Sequence, residues 1–297
     1  AGGRRGPHRP LAGWALSRSR ASRVGRGGAG AIAEALRRLP ADAAVAEPLA
    51  WQLLWRPVCA STELELDQLL ASGRRAPVAV VARRQTRGHG QQGRVWQSPP
   101  GGVWLSAALP WGEAVAGSLG PAVRSGAQVG GLAAPALALS LGLCLQLEGL
   151  GLSPQIKWPN DLLLNGRKLA GILPRLRWRG ERLLGCRVGV GINGLNRVPE
   201  GAIGLADGLA WADPFARSAR HQRAAHPAHL AALVLRGLEW AVAASGQAEL
   251  VRRQAERRLW GAPHPHQGED WEVAGLALDG GLRLRRGGQL VELRRDF

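Results

Sequence analysis

The stretch "QIKWPNDLLLNGRKLAGIL", residues 155 to 173, holds Lys157 and Lys168, the only two lysines in a chain of net charge +17. All other cationic side chains in that count are arginine. An ammonium is a compact point charge on a flexible stem, whereas a guanidinium is a broad planar fork. A position that keeps lysine where arginine is the default suggests a cation reaching one oxygen between two anionic reactants. Pro159 fixes the backbone and biases Trp158 to an extended form, so Lys157 is expected at a strand end beside a rigid turn. Asn160 and Asp161 add an amide and a carboxylate, and Lys168 on the next strand can face the same region. The competing reading is a strand and turn with a solvated Asn-Asp pair.

A second group is "RGHGQQGR", residues 87 to 94. Gly88, Gly90 and Gly93 let the backbone approach a ligand and aim N–H groups at an anion, while Arg87 and Arg94 supply charge and His89 a donor. This would suit a phosphate. It is not a P-loop, and the following "VWQSPPGG" cannot open the helix that a dinucleotide fingerprint requires. A flexible arginine-bearing loop is the alternative. Asn193 closes the Gly-rich "GVGIN", where its amide could meet a ligand or complete a turn. Ser61 and Thr62 suit helix capping, and a cap hydroxyl can also face a pocket.

The elements that must position these groups read as α+β. "WQLLWRPVCAST" is expected as a strand near residue 50, then "TELELDQLLAS" as a helix capped by Thr62 with Glu65 as its capping-box partner. "VAVVAR" and "VWLSAAL" are buried strands on either side of a long loop over 84–102, and loops of that length in a compact domain tend to be functional. The apolar run 132–149 reads as a buried helix, with Gly149 and Gly151 suited to a left-handed cap. "DLLL-NG-RKLAGIL" is a hairpin turning at Asn165-Gly166, and a further turn at Arg179-Gly180-Glu181 leads into "LLGCRVGVGIN". "AHLAALVLRGLEWAVAA" and "AELVRRQAERRLW" have helical patterns, and from about 262 short strands with Gly punctuation suggest a small β-barrel.

The 297 residues are 45% hydrophobic, enough for one large or two unequal domains. With no Met, no Tyr and few Lys, Thr or Asn, the composition reflects a GC-biased genome more than a demand for arginine. The scarce Thr62, Thr86, Asn160, Asn165 and Asn193 all fall in the stretches named above, and Asn196 lies three residues past the last of them. Residues 1–48 are basic, Gly/Arg-rich and expected to be disordered; residues 1–30 have a transit-peptide composition that an overlong gene start would share. The three separated cysteines fit neither a disulfide framework nor a metal site and are expected as reduced thiols. No uninterrupted apolar run spans a bilayer, so a soluble protein is expected.

Taken in order, "ST" (61–62), "Q-x-x-GHGQQGR-x-W-x-SP" (85–99), "KWPND…NGRKLAGIL" (157–173) and "GVGIN" (189–193) resemble the biotin–protein ligase family. The resemblance covers about residues 50–297 and implies a mixed β-sheet backed by helices, a class II synthetase-like catalytic domain over 49–260, and a small SH3-like β module over 261–297. It implies activation of biotin by ATP and Mg²⁺ to biotinyl-5'-AMP, followed by transfer to a lysine of a biotin carboxyl carrier protein. Biotin would be held by Ser61, Thr62, Glu63, Gln85, His89, Gly90, Gln91, Lys157 and Gly171. ATP would be held by Gly88, Gly93, Arg94, Trp96, Asn160, Asp161, Lys168 and Asn193. Lys157 and Arg94 would be the catalytic cations, and Asp161 would lie on the Mg²⁺ side.

The chain departs from the family's common "STN" and "GRGRRGR" at Glu63 and at His89, Gln91 and Gln92, which bears on retention of the adenylate. Residues 1–49 are too short and Gly/Arg-rich for the helix-turn-helix of repressor relatives, so no specific DNA binding is expected; a homodimer is admitted and a membrane partner is not. The location implied is cytoplasmic, or plastid if residues 1–30 are a transit peptide. Competing readings are a lipoate or octanoate protein transferase, a basic nucleic-acid-binding protein, and a ligase homologue that binds biotin without turnover.

Overall fold

The computed structural model describes residues 18–40, 45, 47–111, 134–179, 182–215 and 218–294, with the backbone alone for 18–27, 92, 178, 179, 182–184 and 218. Seven strands form one mixed sheet: β1 (Gln52–Arg56), β2 (Val78–Ala82), β3 (Val103–Leu109), β4 (Gln155–Lys157), β5 (Asp161–Leu164), β6 (Arg167–Arg179) and β7 (Arg182–Ile192). Their spatial order is β1-β2-β3-β7-β6-β5-β4, with β1 and β2 parallel and every other pair antiparallel. Asn165 and Gly166 carry the two positive φ angles of the expected β5–β6 turn. The turn expected at Arg179-Gly180-Glu181 lies, at Gly180 and Glu181, outside the described residues.

Side chains alternate across each strand, so the two faces can be read directly. On one face Val81, Leu105, Val188, Val190 and Ile172 enter the main core beneath α3 (Pro135–Glu148) and α6 (Pro227–Ala243). α3 is apolar on nearly every side and correspondingly buried. Its cap differs from expectation: Gly149 is right-handed, and the left-handed residue is Gly151 at φ 84°. On the other face α2 (Thr62–Ala71) covers Val78, Val80 and Ala108 through Leu66. The rest of that face is left to the loop between β2 and β3. After α4 (Leu205–Ala212) and α5 (Ser218–Ala224), α6 leads to α7 (Ala248–Glu256) and a four-stranded antiparallel sheet of β8 (His264–His266), β9 (Glu269–Leu276), β10 (Leu282–Arg286) and β11 (Gln289–Leu293), ordered β11-β10-β9-β8.

That second sheet is joined to the lysine stretch. The connecting segment runs along β4, with Ile156 N donating to Arg258 O at 2.7 Å and Trp260 N to Ile156 O at 2.8 Å. Trp158 donates from Nε1 to Gly280 O at 2.9 Å and meets His264 edge-on, with ring centroids 6.2 Å apart.

Two sequence expectations are corrected. The disorder expected over residues 1–48 gives way to α1 (Arg18–Arg38), with residues 1–17 outside the described part. The period of Ile32, Leu36 and Leu39 explains it: these residues form an apolar stripe that joins the main core. The cap of α2 is Ser61, whose Oγ accepts from Glu63 N at 3.2 Å, one residue earlier than expected. Glu65 pairs with Arg56 instead of closing a capping box.

α1 is further held by a buried polar cluster. Arg236 donates to Glu239 at 2.7 Å and to the Leu36 carbonyl at 3.2 Å, and Trp51 Nε1 donates to Glu239 at 2.8 Å. Burial pushes the Glu239 carboxyl above its ordinary value, opposed by the hydrogen bond from Trp51 and the charge of Arg236. Removing one member leaves the other charge buried and unpaired, which costs about 3 kcal/mol or more. Arg236→Met is therefore expected to lower the urea midpoint and to expose α1 to proteolysis before the sheet opens, whereas Arg236→Met with Glu239→Gln should recover part of the loss.

Candidate active site

The uncovered part of the second face is a trough of about 380 Å³. Along β7 the alternate residues Arg187, Gly189, Gly191 and Asn193 lie on its side of the sheet, a span of roughly 20 Å at strand rise. Gly191 stands directly between Trp104 on β3 and Gly171 on β6, and Gly171 in turn pairs with Asp161 on β5. The indole of Trp96 lies on the two glycines. A Cβ at Gly191 would come within 2.6 Å of the Trp96 ring, and one at Gly171 within 3.0 Å.

The loop over 84–102 is a folded hairpin rather than a flexible arm. His89 bridges Val95, Gly90 N donates to Arg94 O at 2.7 Å, Trp96 N donates to Gly88 O at 2.9 Å, and a 3₁₀ turn over Gln91–Gly93 forms the tip. Gly88 is buried where a Cβ would meet Trp96 O at 2.6 Å and Ser98 Oγ at 2.7 Å. The residue therefore shapes the loop from behind. Gly88 and Gly93, expected as nucleotide contacts, are absent from the trough lining; His89, Gly90, Gln91, Arg94 and Trp96 are present.

One end of the trough carries a directed chain of hydrogen bonds. Thr62 Oγ1 donates to Gln85 Oε1 at 3.0 Å, so at the 2.8 Å contact with Ser106 the serine must be the donor. Gln85 Oε1 also accepts from Thr62 N at 2.7 Å, and Gln85 Nε2 donates to Ser98 Oγ at 2.9 Å, which donates onward to Trp96 O at 3.1 Å. The shift of the cap to Ser61 frees Thr62 for this role. Beyond it, Glu63 pairs with Arg175 at 2.6 Å, and Asp67 one helical turn later pairs with Arg187, the cross-strand neighbour of Arg175. Cys59 lies beside this end, and burial first, then the charge of Glu65, pushes its thiol up to about 11. It is no nucleophile at neutral pH.

The other end carries Lys168, Asp161, Asn160 and Asn193. Lys168 Nζ lies 2.7 Å from Asp161 Oδ1 and 5.0 Å from the centroid of the Trp96 ring. A register shift in the β5–β6 pairing places it there: Leu162 faces Ala170, but Leu163 faces Lys168. The extra residue, Leu169, turns into the core, and Lys168 returns to the side of Gly171. Asn193 Oδ1 accepts from Asn196 Nδ2 at 3.0 Å, which leaves the Asn193 amino group for a ligand. Lys157 stands at the end of a strand beside a turn, as expected. It is exposed on the edge strand β4 and is not part of the trough lining.

The donors do not fit a resident metal: Asp161 is committed to Lys168, and the described residues contain no cluster of three potential ligands. Among them, no helix is long and apolar enough to cross a membrane.

The family model for the biotin/lipoate A/B protein ligases matches residues 56–193. The bifunctional ligase/repressor BirA of Bacillus subtilis is 33% identical over 156 residues, 52% of this chain and 43% of that protein. The biotin–[acetyl-CoA-carboxylase] ligase of Paracoccus denitrificans is 38% identical over 135 residues, 45% of this chain and 51% of that protein. The chain thus spans about half the length of the curated relatives it matches. Among solved structures, the Aquifex aeolicus biotin protein ligase in complex with biotin and ATP aligns over 82% of this chain and 95% of its own, with a TM-score of 0.56 and 22% identity. That likeness is one of fold. Residues 56–193, the span that this family model matches, contain β2 to β7 and most of the residues that line the trough.

Proposed function

We propose that this protein is a biotin–protein ligase that joins biotin to ATP, releases pyrophosphate, and transfers biotin from biotinyl-5'-AMP to a lysine of a biotin carboxyl carrier-type domain. The observation that carries this reading is the two-ended trough: a fixed hydroxyl and amide array at Ser106, Thr62 and Gln85, and a lysine at the far end. A cyclic urea offers two N–H donors and a carbonyl acceptor, which suits the first end. A carboxylate and a phosphate suit the second.

The first step forms a bond between a biotin carboxylate oxygen and the α-phosphorus and breaks the bond to pyrophosphate. Both reactants are anionic, so a fixed cation between them stabilises the crowded transition state. Lys168, lining the trough beside Asp161, takes the role expected of Lys157 from sequence. Arg94 and the loop around it, with Trp96 against the sheet, would limit access of water to the adenylate. In the second step the acceptor amine attacks the acyl carbon and AMP leaves, so no nucleophile of this chain is required. Mg²⁺ enters as the counter-ion of the ATP substrate. Cytoplasmic location and a homodimer belong to this reading as well.

Mass spectrometry of a carrier domain incubated with the protein, biotin and MgATP is expected to find one biotinylated lysine. Lipoyl transfer without biotinyl transfer would instead assign the lipoate branch of the family. Lys168→Arg should lower pyrophosphate release by on the order of a hundredfold with the fold intact by circular dichroism, whereas Lys157→Arg should change it no more than about threefold. The reverse ranking would restore Lys157 as the adenylation cation. Gly191→Ala should displace Trp96 and weaken biotin binding by about tenfold or more in calorimetry.

A further inference from the structure

Asn196 shares the scarcity of Asn160 and Asn193, yet it is not part of the trough lining. Resting on the ligase reading, we propose that Asn196 is a positioning residue for the nucleotide: it fixes which way round the Asn193 amide stands, so that the trough meets donors there and no acceptor. An amide can be turned over without changing its shape, and its direction must come from neighbours that can only donate or only accept. Backbone groups are such neighbours, and two of them bracket Asn196. Its Oδ1 accepts from Gly194 N at 2.9 Å, and its Nδ2 donates to Arg197 O at 3.1 Å. The same Nδ2 donates to Asn193 Oδ1 at 3.0 Å. The oxygen of Asn193 is thereby engaged inward, and its amino group is left for the trough.

Shape holds this direction as well. Both asparagines are buried, and Leu195 N donates to Gly101 O at 2.8 Å, which ties their turn to the end of the loop that carries Trp96. A Cβ at Gly102 would come within 2.8 Å of Asn196 Oδ1, and one at Gly101, where φ is 109°, within 2.7 Å of Asn196 N. The two glycines of "SPPGG" therefore let Asn196 sit where it reads the Gly194 and Arg197 backbone together. On the other side, Asn193 N donates at 3.0 Å to the carbonyl of Leu169, the residue after Lys168. Two N–H donors next to an ammonium suit an atom that only accepts, and the oxygens of a phosphate are of that kind.

Two substitutions in the full-length protein test this. Asn196→Asp keeps the size and the Gly194 contact but places an oxygen where Asn193 now meets an amine, so Asn193 must turn its amino group inward and show its oxygen to the ligand. Asn196→Ala removes both contacts and lets the Asn193 amide rotate. In pyrophosphate release, KM for ATP is expected to rise about tenfold or more in Asn196→Asp and no more than about threefold in Asn196→Ala, with kcat and the KM for biotin within about twofold in both. A residue that only packed the turn would give the opposite ranking, since alanine loses every contact and aspartate keeps one. Aspartate also adds a charge, so the direction of the amide is read separately by NMR of protein isotope-labelled at its four asparagines. The Asn193 side-chain hydrogens should exchange readily and shift with MgATP in the unsubstituted protein, and be protected and unshifted in Asn196→Asp. The opposite ranking, a biotin KM that moves with that for ATP, or Asn193 signals alike in the two proteins overturns the proposal, while pyrophosphate release by the unsubstituted protein leaves the ligase reading standing. Absence of pyrophosphate release and of any MgATP-driven shift overturns the ligase reading, and the exchange contrast then still decides whether Asn196 sets the amide.

Discussion

Gly171 and Gly191 face one another across β6 and β7, and the missing side chains at that pair are the constraint on which the site depends. A sheet must cover both faces. Helices cover one face here, and α2 covers only the β1–β3 part of the other. Over β6 and β7 the strands supply little cover of their own. The space is filled from above by Trp96, and the loop that carries Trp96 must then lie close to the sheet. Gly88 answers that demand, since it alone lets the loop backbone pass against Trp96 and Ser98.

The two ends of the trough differ in kind. At the Gln85 end each donor has one acceptor, from Ser106 through Thr62 and Gln85 to Ser98 and the Trp96 carbonyl. Breaking any link would leave a partly buried polar group unmatched, at about 1–3 kcal/mol. That end is rigid and suited to recognising a fixed head group. The Lys168 end is held by a partly exposed ion pair and by a ring face, interactions that bind a charge without fixing a single geometry.

Much of this was legible in the sequence. The strands, the Asn165-Gly166 turn and the stretches around Gln85, Asp161 and Asn193 follow from alternation, turn chemistry and residue scarcity. The place of Lys168 on the trough side of β6 was not legible. Strict alternation from Gly171 would send Lys168 toward the core, and only the extra residue at Leu169 reverses this. A bulge depends on how two strands pair, which a single strand's residues do not display. α1 was missed for a different reason: its arginines and glycines dominate the composition, while the apolar stripe of Ile32, Leu36 and Leu39 needs only three residues to hold it. The cap of α2 was displaced by one residue because Ser61 and Thr62 are equally good caps, and the choice is made by Gln85, twenty-three residues away, which claims both the amide and the hydroxyl of Thr62.

In the proposed reaction, the pairing of Lys168 with Asp161 also bears on how one cation would serve both reactants. An ion pair with side chains 36% and 23% exposed contributes little net stability, about 0–1 kcal/mol. Its dissolution therefore takes little from ligand binding. With the trough unliganded, Asp161 keeps the ammonium over Trp96 and makes the site less inviting to stray anions than a bare cation would. When a carboxylate and a phosphate arrive, their oxygens can replace that of Asp161 at similar cost, and the ammonium moves only by rotation of its stem. A guanidinium locked in a bidentate fork would have to give up two bonds together. That difference gives a physical reason for lysine to persist at position 168 in an arginine-rich chain.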